Sequence, residues 1–304
     1  MQGIQRYLAE EVVVDYADGV VDRREALRRL TLLGVGAAMA GPMLAACDVK
    51  SGGSSPASPS GAGSSAPSAA PAGPSPLPTE AVAFAGPEGR RLQGAWAAAG
   101  DRPRGSVLVV HENRGLTDHI RSVAGRLAAS GFTALAIDLL SEEGGTGAFS
   151  DPARATAALN AAPPGRFVAD MRAGLDELVR RTPNLKPGTV GFCFGGGMVW
   201  SLLAAGEPRL RAAAPFYGPL PDRADFAGSR AAAVLAVYAE RDSRVNASRD
   251  AARAALERAG LTHEIVTFPN ADHAFFNDTG PRYAPAAAGE AWRRLVDWFT
   301  RYLA

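Results

Sequence analysis

The sequence predicts an α/β fold, a mostly parallel sheet covered by helices on both faces. Three observations predict it. Beyond residue 79, apolar runs of strand length alternate with amphipathic stretches of helix length. One apolar run ends in Gly191-Phe192-Cys193-Phe194-Gly195 and leads directly into a helical pattern, a sharp strand-to-helix turn of the kind such sheets use. The 304 residues are 47% hydrophobic, enough for one large core.

In chain order, the first element is an address. Arginines at 23, 24, 28 and 29 precede an uncharged stretch over 30–46 that ends in small residues, the layout of a secretory signal. Three glycines and a proline dilute that stretch, so a processed segment fits better than a permanent span of a bilayer about 30 Å thick. Arg23-Arg24 with Leu27 and Arg28 resembles the twin-arginine export signal, with Ala26 where phenylalanine is usual. Leu44-Ala45-Ala46-Cys47 resembles a bacterial lipobox, which implies lipidation of Cys47 and an anchor in the cell envelope. An acidic lead of Glu10, Glu11, Asp15, Asp18 and Asp22 precedes all this, and nothing in the sequence accounts for it.

Residues 1–47 are therefore expected as export signal and 48–78 as a linker, because 51–78 holds only Ser, Gly, Ala, Pro and Leu77. Such a tether reaches on the order of 30 Å, clear of a membrane surface. Residues 79–304 are expected as one domain. Short runs near Val82 and Leu92 suggest a leading antiparallel hairpin. Strands are expected at 107–110, 134–137, 189–192, 212–216, 234–238 and 264–268, and helices at 120–129, 167–181, 196–205, 247–259 and 287–302.

The balance of 32 basic against 31 acidic residues gives no reason to expect a nucleic-acid partner, so a small molecule is the expected one, bound by a monomer. Cys47 and Cys193 lie in regions of unlike composition, so no disulfide framework is expected. Histidines 111, 119 and 263 have no metal-ligand spacing, and no metal or cofactor is expected.

The chemistry concentrates at Cys193. A nucleophile on a sharp strand-to-helix turn needs glycines beside it for steric reasons, and the helix that follows aims amides and its positive dipole end at the sulfur. The Phe194 amide becomes an oxyanion donor. Asp242 follows the strand at 234–238 and His273 follows that at 264–268, in the order nucleophile, acid, histidine of the α/β-hydrolase fold. His273 is expected to take and return the thiol proton while Asp242 holds its tautomer. Asp272 is a rival acid, but neighbouring side chains of an extended loop diverge.

With these residues in place, the chain from about residue 80 resembles the dienelactone hydrolase family, the carboxymethylenebutenolidases. The cysteine elbow, both loops, Val109-Val110-His111-Glu112-Asn113-Arg114-Gly115 and Phe216-Tyr217-Gly218 carry the resemblance. It implies that Glu112 engages the resting thiol until substrate displaces it, that the Asn113 amide is the second oxyanion donor, and that Tyr217 lines the pocket. The family's substrate carboxylate is held by arginines, for which Arg114, Arg154 and Arg282 are candidates. Asn277 and Ala274 depart from the arginine and serine of the best-known members. The expected activity is hydrolysis of an ester or lactone through an acyl-thioenzyme. The alternatives are a general carboxylesterase or thioesterase acting on extracytoplasmic acyl compounds, and a tethered binding protein without activity.

Overall fold

Uninterrupted runs of alanine, valine and leucine build the centre of an eight-stranded sheet. The structure, a computed structural model, describes residues 3–48 and 70–304. The strands are β1 (Glu80–Ala85), β2 (Arg91–Ala97), β3 (Gly105–Val110), β4 (Phe132–Asp138), β5 (Pro187–Phe192), β6 (Ala212–Phe216), β7 (Ala233–Ala239) and β8 (His263–Phe268). Their spatial order is β1-β2-β4-β3-β5-β6-β7-β8. β1 and β2 form the antiparallel hairpin, β2 joins β4 antiparallel, and every other pairing is parallel. Every residue of β3 to β7 is buried, as strands covered on both faces must be.

The helices are α1 (Gly3–Ala17), α2 (Arg23–Leu32), α3 (Ala37–Asp48), α4 (Asp118–Ala129), α5 (Pro152–Ala161), α6 (Pro164–Arg181), α7 (Phe194–Ala204), α8 (Ser243–Asn246), α9 (Arg249–Ala259) and α10 (Pro285–Leu303). The chain steps from β3 to β4 in one direction along the sheet and from β4 to β5 in the other. Right-handed crossovers therefore place α4 and α6 on opposite faces. The order reverses between β3 and β5, and the carboxyl ends of those strands are where an open α/β sheet leaves a crevice.

Several expectations need correction. The helix expected at 247–259 is α9, while the short α8 before it and α5 were not foreseen. The uncharged stretch over 30–46 is broken between α2 and α3, where Gly34 has φ 78° and cannot continue a helix. Among the described residues no helix is long and apolar enough to cross a membrane. Of the expected linker, 49–69 lies outside the described residues, whereas 70–78 packs on the domain. The Ala72 carbonyl accepts from Arg126 at 2.6 Å, that of Ala70 from the Tyr283 hydroxyl at 2.7 Å, and the Leu77 amide donates to Gly125. Cys47 lies in the last turn of α3, and the state of its side chain lies outside the described residues.

Helices α1 to α3 share a small core of Ala9, Val12, Ala26, Leu30, Val35, Ala40 and Leu44. Ala26 is fully buried there, which explains a small residue where the export pattern usually has phenylalanine, while Arg23 and Arg24 remain exposed. On its other side α1 sinks Tyr7 and Leu8 into the main core. The Asp22 side chain caps α2 through the Glu25 amide at 2.8 Å, and Arg28 of α2 ties the bundle to the domain through Asp151 at 2.7 Å.

Candidate active site

Phe192 ends β5, and the next residue turns the chain through an unusual conformation. Cys193 has φ 55° and ψ −118°, a region costing a residue with a β-carbon about 1–3 kcal/mol. The surroundings hold it there. Its amide donates to the Phe216 carbonyl at 3.0 Å, and its carbonyl accepts from Gly197 at 3.1 Å. A β-carbon at Gly191 would meet the backbone of Gly195, and one at Gly195 would meet the carbonyls of Val110 and His111. The turn thus requires glycine at both flanks. The Phe194 amide at the start of α7 faces the sulfur.

β7 delivers Asp242 and β8 delivers His273. The two are joined by a 2.5 Å hydrogen bond between His273 Nδ1 and Asp242 Oδ2. The other carboxylate oxygen of Asp242 accepts from the Val245 amide at 3.3 Å and caps α8, so one side chain ends a helix and orients the imidazole. Burial works against the charge of Asp242, but His273 and Arg244 outweigh it, and the carboxyl stays below its ordinary pKa. Burial likewise opposes charge on His273, and Asp242 overrides it, so the imidazole titrates above its ordinary value. Cys193 is pushed well above its ordinary value, first by burial and then by the charges of Glu11 and Glu112, so the resting sulfur is a thiol.

The thiol and imidazole do not meet directly. The hydroxyl of Tyr7, from α1, lies between them, 3.3 Å from Cys193 Sγ and 3.1 Å from His273 Nε2. One turn along, the Glu11 carboxylate lies 3.5 Å from the same sulfur and accepts from Asn113 Nδ2 at 3.1 Å. The donor atoms of Glu11, Cys193 and His273 all lie within 4.8 Å of one another, a set whose chemistry would suit a zinc-like ion. Arg244 donates to the Tyr7 carbonyl at 3.2 Å, and its guanidinium lies 5.0 Å from the Tyr7 ring centre. A cavity of about 600 Å³ lined by Tyr7, Met198, Pro219 and Arg244 opens on one side of α1. A smaller one, about 60 Å³, lined by Glu11, Asn113, Arg114, Cys193 and Arg282, lies on the other.

Set against the sequence expectations, Cys193, Asp242, His273, Asn113 and Phe194 converge. Glu112 is close and buried, but its Oε2 accepts from Asn277 Nδ2 at 2.6 Å, and the carboxylate hydrogen-bonded to the thiol is that of Glu11. In this structure the contact expected of Glu112 is made by Glu11, while Asn277 holds Glu112 beside the site. Tyr217 is fully buried with φ 36°, its ring edge-on to His273 at 5.2 Å and its hydroxyl without a hydrogen-bond partner among the described residues, so it backs the imidazole. Arg114 is exposed at the rim. Arg154 is exposed on α5 and lines none of the cavities beside Cys193, so it is not brought to the site. Arg282 reaches the site's edge, where it donates to Asp15 at 2.9 Å and Asp18 at 2.8 Å.

The other histidines are structural. His111 Nε2 accepts from the Leu139 amide and its Nδ1 donates to the Glu112 carbonyl, fixing the turn after β3, and burial keeps its pKa low. His119 pairs with Asp278 at 2.7 Å, and His263 donates to the Leu261 carbonyl. Sequence reasoning missed Tyr7, Glu11 and Arg244. Arg244 stands two residues after Asp242, a signal that was available. Tyr7 and Glu11 announce themselves only by sharing one helix face.

Comparison with known proteins bears on the same residues. A family model described as the dienelactone hydrolase family matches residues 93–303, which leaves α1 to α3 outside it. A protein of Escherichia coli (strain K12), provisionally named carboxymethylenebutenolidase, is 33% identical over 214 residues, covering 66% of this chain and 79% of the relative. A provisionally named dienelactone hydrolase of Klebsiella pneumoniae superposes with a TM-score of 0.65 at 30% identity, over 74% of this chain and all of that one. A dienelactone hydrolase-like promiscuous phosphotriesterase from metagenomic libraries also reaches 0.65, at 26% identity over 75% of this chain and all of that one.

Proposed function

This chain belongs to the dienelactone hydrolase family and is a hydrolase of carboxylic ester or lactone bonds, and on that premise we propose that it works through an acyl-thioenzyme on Cys193. The observation that carries the reading is the strained cysteine at the head of α7 beside a buried, hydrogen-bonded His273–Asp242 pair. His273 Nε2 takes the thiol proton as sulfur attacks the acyl carbon, and the Asp242 carboxylate balances the imidazolium. The amides of Phe194 and Asn113 donate to the oxyanion. The intermediate collapses as His273 returns the proton to the departing oxygen. Water, deprotonated by the same nitrogen, then releases the acid and restores the thiol.

A thiolate leaves more readily than a simple alkoxide, so collapse goes forward when the departing oxygen is a stabilised enolate or phenolate. Enol lactones and aryl esters are therefore the favoured substrates. Cys193→Ala and His273→Ala should each reduce turnover of an activated aryl ester by at least about 10³-fold. Wild-type rates in either variant refute the mechanism. Steady-state comparison of an enol lactone bearing a carboxylate with neutral aryl esters separates a lactonase from a general esterase or thioesterase.

The address forms part of the proposal. Exposed Arg23 and Arg24, the uncharged stretch after them and Leu44-Ala45-Ala46-Cys47 support twin-arginine export and lipid attachment at Cys47, with the enzyme tethered in the cell envelope. Metabolic labelling with a fatty-acid probe, lost in Cys47→Ser, tests it.

A further inference from the structure

We propose that α1 is an intramolecular inhibitor, a helix that occupies the substrate cleft over Cys193 and must leave before the enzyme turns over. The proposal rests on the hydrolase reading of the site. Tyr7, Glu11 and Asp15 recur every four residues, which puts them on one face of α1, and Asp18 follows in the turn that ends the helix. Each meets a group of the site. The Tyr7 hydroxyl touches both Cys193 and His273, Glu11 touches the thiol and Asn113, and Asp15 and Asp18 bind Arg282. Arg244 completes the set from the opposite rim through the Tyr7 carbonyl and ring.

Two consequences follow for catalysis. The hydroxyl of Tyr7 takes the hydrogen bond through which His273 would draw the thiol proton, so the nucleophile cannot be activated. The acyl group has no room either, because Tyr7 and Glu11 of α1 crowd the sulfur, the cavity that Cys193 lines is only about 60 Å³, and Cys193 is 2% exposed. The helix is not needed to complete the catalytic fold, since the family match begins at residue 93. It is held as a removable part, by side chains on one face and by α2, whose Arg29 lies 3.6 Å from Asp15 and whose Arg28 grips Asp151. On the export reading, cutting before Cys47 would carry α1 away, so processing and activation would be one event.

The test uses the full chain and two α1 variants, the double change Asp15→Arg with Asp18→Arg, which sets like charge against Arg282, and Tyr7→Ala. Two rates are read: alkylation of Cys193 by iodoacetamide, followed on its own peptide by mass spectrometry, and hydrolysis of p-nitrophenyl acetate. Both should rise by about tenfold or more in each variant, the change in accessible population from losing roughly 1.4 kcal/mol of docking. A full chain that carries a specific protease site within 49–69 gives a second route should a variant unfold. Cutting it and separating residues 1–48 should raise both rates alike. Alkylation as fast in the intact chain as in the variants and in the cut chain overturns the proposal. Faster alkylation without ester turnover anywhere upholds the helix as a cap and refutes the hydrolase chemistry instead.

Discussion

Asp242 uses its two oxygens for different tasks, one capping α8 through the Val245 amide and the other holding His273. The two can be separated. Asn is as good a cap as Asp, so Asp242→Asn should leave the unfolding free energy within about 1 kcal/mol while turnover falls on the order of 10³- to 10⁴-fold for want of a charge to hold the tautomer. Asp242→Ala should lose activity equally and in addition destabilise by roughly 1–3 kcal/mol, because the cap and the buried imidazole both lose their partner. Chemical denaturation beside steady-state kinetics reads both. The same pair sets the pH response. The depressed Asp242 contributes stability above its ordinary 3.8, lost as pH falls through the lower folded value. The raised His273 contributes stability below its ordinary 6.5, lost as pH rises through the higher folded value. Their stabilisation is therefore fullest between those two ordinary values. Catalysis needs neutral His273, so the acid limb of the rate profile should fall above pH 6.5. An acid limb below that value would contradict the pairing.

At the scale of elements, the elbow is held by backbone meeting backbone. Gly195→Ala would set a methyl against the carbonyls of Val110 and His111, neither of which is free to yield, and should destabilise by about 1–3 kcal/mol and cost most of the activity. Calorimetry and ester kinetics on that one variant check it. How far the elements were legible depends on what buries them. β3 to β7 are covered on both faces, so their runs carry no polar interruption and stand out in the sequence. The meeting of Cys193, Asp242 and His273 was legible because strand ends place loop residues in a fixed order. α5 was not, because half of Pro152–Ala161 is alanine and its apolar face is faint. α1 was missed for a stronger reason: nothing near its acids in the sequence accounts for them, because the arginine that binds Asp15 and Asp18 lies over 260 residues away in the chain. The same distance hid Glu11 beside the thiol, since Glu112 is adjacent in the family motif while Glu11 arrives from α1 by tertiary packing.

Across the whole molecule, near-neutral net charge conceals a local division, acids on the leading helix and arginines around the cleft. Composition alone averages the two away. The division between address and enzyme, plain in the sequence, is not a division of contacts, because α1 shares the main core and residues 70–78 return to the domain. The buried sulfur has a further consequence outside catalysis. Peroxide attacks thiolates and needs access to them, and Cys193 in this arrangement is an uncharged thiol with only 2% of its surface exposed. A chain waiting with its first helix in place would thus keep its nucleophile reduced in storage, and would become vulnerable to oxidants only once it begins to work.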